Sequence, residues 1–210
     1  MSVYAISDIH LEPNDSWTRT LKLPESGKLI LVGDTFNVLP YGWNRWQEDD
    51  AQAAVKSLLS HIPKDSVFVF GNHDGRLSWL KALVAPFPAV RQLDLEIQGR
   101  RFRFLHGHQF TYWRILARVA DEFVETMVGC SLTRKAWYNF CRSKRWMASG
   151  MPQSNPKYAA ILITAWGWAM KEALDKKTNL VMGHTHTQWF SWTQSYTVTD
   201  LGAGREVEIK

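Results

Sequence analysis

Cysteine is nearly missing from the chain: Cys130 and Cys141 are the only two in 210 residues. They stand eleven apart in a helical pattern, and at about 1.5 Å rise per residue a straight helix holds their Cα atoms too far apart for a disulfide. A disulfide scaffold and a Cys-type structural zinc site are excluded, and free thiols in a reducing compartment are expected. No uncharged run reaches the ~18 residues that a membrane-spanning helix needs. The opening MSVYAISDIH has neither a charged leader nor a long apolar stretch, so no signal peptide is expected and the chain reads as cytoplasmic. Repeats, low-complexity tracts and interdomain linkers are missing too, and one domain over residues 1–210 is expected. Acids are outnumbered, 20 against 25 Lys and Arg, for a net charge of +5. That balance favours anionic partners such as phosphate esters, nucleic acid or acidic lipid head groups, without choosing among them.

What the chain has in excess is tryptophan, eleven in all. So many indoles cannot all be core, and some are expected to line a groove, a cap or an interface. Short apolar runs recur, and each ends in a polar cluster. Val3–Ile6 runs into Ser7-Asp8-Ile9-His10, Leu29–Val32 into Gly33-Asp34, and Val67–Phe70 into Gly71-Asn72-His73-Asp74. Phe102–Leu105 runs into His106-Gly107-His108, and Leu180–Met182 into Gly183-His184-Thr185-His186. Bounded runs of about four, rich in Val, Ile, Leu and Phe, read as buried strands. In layered α/β folds, loops at the carboxyl ends of strands converge on ligands, so five such ends carrying Asp, Asn and His predict one shared site.

Between the strands, residues 48–61 predict an amphipathic helix and Leu77–Val84 a shorter one, stopped by Pro86 and Pro88. Residues 93–105 alternate around Gly99 and predict a hairpin. Three helical patterns, at about 112–128, 131–147 and 157–176, interrupt the strand-and-motif rhythm. They predict a helical insert, or cap, over about 112–177. The tail from Trp189 to Ile209 returns to short strands with a turn near residues 200–204. The fold class is α/β (α+β).

Six of the seven histidines, His10, His73, His106, His108, His184 and His186, stand at the strand ends. Only His61, on the first helix, lies elsewhere. With Asp8, Asp34 and Asn72 they form a mixed nitrogen and oxygen donor set. Imidazole with carboxylate suits Mn, Fe, Zn, Co or Ni, whereas an all-oxygen set suits Mg or Ca. One strand-end histidine means little, because most are satisfied or exposed residues. Five motifs absorbing six of seven histidines point to a metal site. Seven donors with one shared carboxylate suffice for two ions about 3.5–4 Å apart, which activate a bridging water and neutralise phosphoryl oxygens. Asp34 is the natural bridging carboxylate, since Gly33 lets the backbone turn sharply beneath the ions.

Taken in order, SDIH, GDT, GNHD, HGH and GHTH resemble the motif series of the calcineurin-like metallophosphoesterase superfamily, over residues 8–186. The resemblance implies a four-layer αββα sandwich with a dimetal site at its loop edge. It implies hydrolysis of a phosphomonoester or phosphodiester by a hydroxide bridging two divalent ions, manganese first, with iron, zinc, cobalt or nickel as alternatives. One ion would be held by Asp8, His10, Asp34 and His186, the other by Asp34, Asn72, His106 and His184. His73 would sit beside the metals, hydrogen-bonding the phosphate or protonating the leaving oxygen, with Asp74 orienting it. His108 would have no ligand role and would stand near the ligands or face the substrate. The SDIHL opening, the insert after HGH and the GHTHTQ ending are also similar to the UDP-2,3-diacylglucosamine hydrolase branch, which cleaves a pyrophosphate in lipid A synthesis. His73 and His108 depart from that branch, which has Arg and Asp there, so its activity stands as the alternative. A nuclease or a non-catalytic scaffold stands further back.

Residues 131–147 carry Arg134, Lys135, Arg142, Lys144 and Arg145 and no acid, interleaved with Trp137, Tyr138, Phe140 and Trp146. Such a helix can grip an anionic substrate, a membrane surface or a single nucleic-acid strand. It can equally be a solvated helix whose aromatics pack inward. Arg134, Arg142 and Arg145 are the candidate substrate contacts. The expected partner is a phosphoester, small or lipid-linked, with peripheral contact at the inner face of the membrane left open. Nucleic acid is disfavoured, because no nucleic-acid-binding motif occurs.

Overall fold

The computed structural model describes residues 2–13, 21, 23–111, 156–192, 195–204 and 206–209. The expected helices at about 112–128 and 131–147, with Arg134, Arg142, Arg145 and both cysteines, lie outside the described residues.

Each bounded apolar run is a strand. The chain opens with β1 (Val3–Ile6) and β2 (Lys28–Val32), followed by the short α1 (Val38–Tyr41), α2 (Asp49–His61) and β3 (Val67–Val69). α3 (Leu77–Val84) leads into β4 (Ala89–Val90), β5 (Gln92–Ile97), β6 (Arg100–Leu105) and the short α4 (His108–Thr111). Beyond residue 155 come α5 (Pro156–Lys176), β7 (Asn179–Met182), β8 (Trp189–Trp192), β9 (Thr197–Asp200) and β10 (Val207–Ile209).

Among the described residues the strands form two five-stranded sheets, ordered β10-β1-β2-β3-β4 and β5-β6-β7-β9-β8. In the first, β1 to β4 run parallel and β10 closes the edge antiparallel. In the second, β6, β7 and β9 run parallel between the antiparallel edge strands β5 and β8. The β5–β6 hairpin turns at Gln98 and Gly99, both with positive φ (52° and 75°), as a tight two-residue turn between twisted strands requires.

The side-chain alternation of the strands divides the core into three layers. In β2, Leu29 and Leu31 face α2 and α3 through Val55, Leu58, Leu80 and Leu83, with Phe36, Trp46 and Phe68 filling the same layer. Ile30 and Val32 point the other way, against Phe102, Phe104 and Val181 of the second sheet. On the far side, Leu180, Met182 and Val198 pack against Ala165, Ala169 and Ala173 of α5. The order helix, sheet, sheet, helix is the four-layer αββα sandwich that the resemblance implied. Each large apolar side chain so buried contributes about 1.5–3 kcal/mol.

Local sequence explains the helices. α2 starts with Asp49 and Asp50, which favour the positive end of the helix dipole, and it buries Ala51, Val55 and Leu58 along one stripe. α5 carries a stripe of alanines four apart, all fully buried, so its backbone lies close on the second sheet. This last part of the 112–177 stretch is therefore the outer layer of the sandwich. No helix among the described residues is long and apolar enough to cross a membrane.

Candidate metal centre

The parallel strands of both sheets end at one edge, and each motif occupies the loop leaving its strand there. The loops after β1 and β2 stay zipped beyond the sheet. Asp8 N–H donates to the Gly33 carbonyl (3.1 Å), His10 N–H to that of Asp34 (2.9 Å) and Leu11 N–H to that of Thr35 (2.9 Å). Gly33 has φ 80°, and a Cβ on it would overlap the His106 imidazole arriving from β6. Only glycine lets the two sheets meet so closely here.

Among the described residues seven non-glycine residues have positive φ, and five of them are Asp8 (53°), His10 (51°), Asp34 (50°), His184 (74°) and His186 (56°). The left-handed region costs an ordinary residue about 1 kcal/mol or more. Concentrating that cost in one cluster is the mark of side chains that must aim at a common point.

They do converge. His10 Nε2 lies 3.3 Å from His186 Nε2, and His186 Nε2 lies 3.3 Å from Asp8 Oδ1. His106 Nε2 lies 3.1 Å from Asp34 Oδ2, and His10 Nε2 lies 3.8 Å from that same oxygen. Among the described residues three overlapping sets arise: Asp8, His10 and His186; His10, Asp34 and His73; and Asp34, His106 and His184. Donors held about 2.1 Å from one ion lie roughly 3.0–3.4 Å apart when adjacent on its coordination shell. The closest spacings here fall in that range.

Two buried side-chain atoms sharpen the fit to a cation. His106 Nδ1 lies 3.1 Å from the Val32 carbonyl, which turns Nε2 toward Asp34 Oδ2. Among the described residues Asn72 Oδ1 is buried without a hydrogen-bond partner, and His106 Nε2 is buried with its 3.1 Å contact to Asp34 Oδ2. Buried polar atoms normally have partners. The His106–Asp34 pair needs a positive charge between its atoms, which a proton on Nε2 supplies without metal and a bound cation would supply in its place.

The electrostatics agree. In His73 burial outweighs the attraction of Asp34 and lowers the pKa to about 4. Burial, then the neighbouring His106 and His108, hold His184 well below the usual imidazole range, and burial lowers His186 despite Asp8. Burial raises Asp34, but His106, His73 and His10 together hold it well below the usual carboxylate range. Neutral imidazole and ionised carboxylate are the forms that bind cations. His106 differs: burial lowers it, yet Asp34 and Asp8 push it up to about 10. A cation held on its Nε2 would therefore have to displace a proton.

The environment of His73 corrects one expectation. Its Nδ1 is 2.8 Å from Asn37 Oδ1, and its backbone N–H donates to Asp34 Oδ1 (2.7 Å). Asp74 does not orient the ring. Its carboxylate accepts the backbone N–H groups of Gly71 (2.8 Å), Asp34 (3.1 Å) and Phe36 (2.9 Å), tying the β3 loop to the β2 loop. Those backbone donors engage both oxygens of Asp74, while the His73 ring turns its Nδ1 to Asn37. Burial and the adjacent Asp34 push Asp74 up to about 8, against the pull of those donors. Asn37 follows the GDT motif by two residues, and no spacing rule marks it.

His108 reaches the same edge and is buried, its ring 5.5 Å from that of His106 and 6.1 Å from that of His184. His61 lies on α2 and bonds the Ser57 carbonyl (2.8 Å). A further buried carboxylate, Asp200, stands beneath the His184-Thr185-His186 turn. It accepts the Thr185 hydroxyl and the Trp166 indole N–H (3.1 Å), and burial pushes its pKa up to about 7.

The calcineurin-like phosphoesterase family profile matches residues 1–199. No curated protein sequence matches the chain. Among solved structures, an archaeal phosphodiesterase aligns over 100% of this chain and 99% of its own, at 14% identity and a TM-score of 0.44. Phosphopantetheinyl hydrolase from Mycobacterium tuberculosis aligns over 97% and 90%, at 14% identity and a TM-score of 0.47. Vps29 from Chaetomium thermophilum aligns over 97% and 72%, at 10% identity and a TM-score of 0.47.

Proposed function

The chain belongs to the calcineurin-like phosphoesterase family and is a metal-dependent phosphoesterase; from that premise we propose that its strand-end cluster hydrolyses a phosphomonoester or phosphodiester at a pair of divalent ions. The observation that carries the reading is the convergence on Asp34 Oδ2 of His106 Nε2 (3.1 Å) and His10 Nε2 (3.8 Å), which joins the Asp34, His106 and His184 set to the Asp8, His10 and His186 set. Asp8, His10, Asp34 and His186 hold one ion in this reading. Asp34, Asn72, His106 and His184 hold the other. Their imidazole and carboxylate chemistry favours manganese, iron, zinc, cobalt or nickel, and manganese is the first to test. When bound, two such ions supply Lewis acidity and the nucleophile for in-line attack on phosphorus.

The remaining residues work around them. Asn37 fixes Nδ1 of His73 and so turns Nε2 toward the cluster. The negative charge of a bound phosphoester favours protonation of His73 from solvent, and Nε2 then passes that proton to the leaving oxygen. Asp74 holds the loops in place without touching the reacting atoms, and His108 packs against His106 and His184 to limit their motion.

The test is Mn²⁺-stimulated hydrolysis of p-nitrophenyl phosphate and bis-p-nitrophenyl phosphate, abolished by Asp34→Asn. No turnover with Mn²⁺, Co²⁺, Ni²⁺ or Zn²⁺ across a broad phosphoester panel would sink the proposal. Including diacyl-UDP-glucosamine and DNA in that panel decides between the general phosphoesterase and its lipid A and nuclease alternatives.

A further inference from the structure

We infer that Asp200, acting through Thr185 and braced by Trp166, is a positioning residue that sets the His184-Thr185-His186 turn and thereby the affinity of the ion on Asp8, His10 and His186. The inference rests on the dimetal reading above.

Thr185 sits between two residues with positive φ, His184 and His186. A turn of this kind lacks the regular ladder that would otherwise hold its geometry, so its side-chain anchor matters. Thr185 is itself almost fully buried, at 1% exposure, and its hydroxyl donates to Asp200 Oδ2. The same hydroxyl accepts the Thr187 N–H (3.3 Å), closing the turn on itself.

Asp200 is fully buried at the end of β9, level with Met182 of β7 on one side and Trp189 of β8 on the other. Its Oδ2 accepts from both Thr185 and the Trp166 indole, while Oδ1 lies 3.4 Å from the Gly202 N–H. Both side-chain donors aim at one oxygen, so the arrangement survives whether or not the other oxygen carries a proton. Trp166 comes from α5 and stacks on Trp189, with centroids 4.6 Å apart and planes 10° from parallel. Thus β9, β8 and α5 converge on the one carboxylate that holds the turn.

The residues just after Asp200 brace the opposing loop. Gly202 O accepts the Ser7 hydroxyl (3.2 Å), and Gly204 N–H donates to the Ser7 carbonyl (2.8 Å), next to Asp8. His184 N–H completes the link by donating to Asp8 Oδ2 (2.8 Å). Residues 200–204 therefore set both sides of the Asp8 and His186 donor pair. Partners that orient metal ligands typically govern about 10–100-fold in affinity.

The experiment is calorimetric titration of Mn²⁺ into metal-free full-length protein, with metal-free melting temperatures measured alongside. Thr185→Val keeps the shape and removes the donor; Asp200→Ala removes the acceptor. Both are expected to weaken one of the two ions by about 10–100-fold. Asp200→Asn retains a carbonyl at Oδ2 and is expected to stay within about threefold of wild type, while Trp166→Phe keeps the stack and loses several-fold. Thr185→Val carries the test if Asp200→Ala fails to fold. Wild-type affinity for both ions in Thr185→Val and Asp200→Ala overturns the inference, as does a loss in Asp200→Asn equal to that in Asp200→Ala. A wild-type chain that takes up no Mn²⁺ at all would instead sink the dimetal reading itself.

Discussion

Asn37 and His73 are thirty-six residues apart in sequence, yet one amide oxygen decides which ring nitrogen of His73 faces the cluster. His73→Gln is expected to lower kcat by about 10²–10⁴-fold, the usual worth of a positioned proton donor, while leaving Mn²⁺ binding near wild type. Asn37→Ala is expected to cost less, about 10-fold, because the ring stays but loses its fixed orientation. Steady-state kinetics and metal titration on both variants check the pair. A drop in metal affinity for His73→Gln matching its drop in rate would make His73 a ligand instead. The candidate donors are legible because most motifs pack two or three potential ligands into a few residues after an apolar run. Asn37, Thr185 and Asp200 carry no such signal. Their partners come from other strands, and a hydroxyl or amide in a loop looks the same whether or not it is bonded.

At the scale of elements, periodicity made the hairpin, α2, α3 and the five motif-bearing strands readable, since each has one apolar face and a clear stop. The place of α5 was not readable. A helix with Ala165, Ala169 and Ala173 on one side matches a cap as well as an outer layer until the sheet beneath it is known. The role of Asp74 belongs to this scale, because it joins the β2 and β3 loops. Asp74→Ala would strand the buried N–H groups of Gly71, Asp34 and Phe36, a cost of about 3–5 kcal/mol. In a chain of this size the melting temperature should fall on the order of 10 °C, read by thermal denaturation. Gly33→Ala is expected to lose metal binding along with stability, because its methyl would displace His106. Retention of both ions by Gly33→Ala would contradict the close approach of the two sheets.

For the whole molecule, metal and pH are the controlling variables. An ion at 100 times its dissociation constant adds about 2.7 kcal/mol. Removing it with a chelator should therefore lower the melting temperature by roughly 5–10 °C, and Mn²⁺ should restore it. The pH dependence of the metal-free protein contains a contribution from Asp200. Its folded pKa of about 7 lies above the unfolded value of about 3.9. A raised carboxylate stabilises the fold fully below the unfolded value, and that contribution is lost as pH rises through the folded value. Asp200→Asn cannot titrate. Its melting temperature relative to wild type should climb between about pH 4 and pH 7 and level off above, and a flat difference across that window would show that Asp200 keeps an ordinary carboxylate pKa.

The edge that gathers the motifs also joins the two sheets. There His106 reaches the Val32 carbonyl, His184 reaches Asp8, and Ser7 pairs with Ala203. At the opposite edge lie the β5–β6 turn at Gln98 and Gly99 and the amino end of β2, preceded by Gly27. The sandwich behaves like a book bound along one side. Thermal opening should start at the unbound side, so amide exchange ought to be fastest near residues 98–100 and slow progressively along β2, β6 and β7 toward their carboxyl ends.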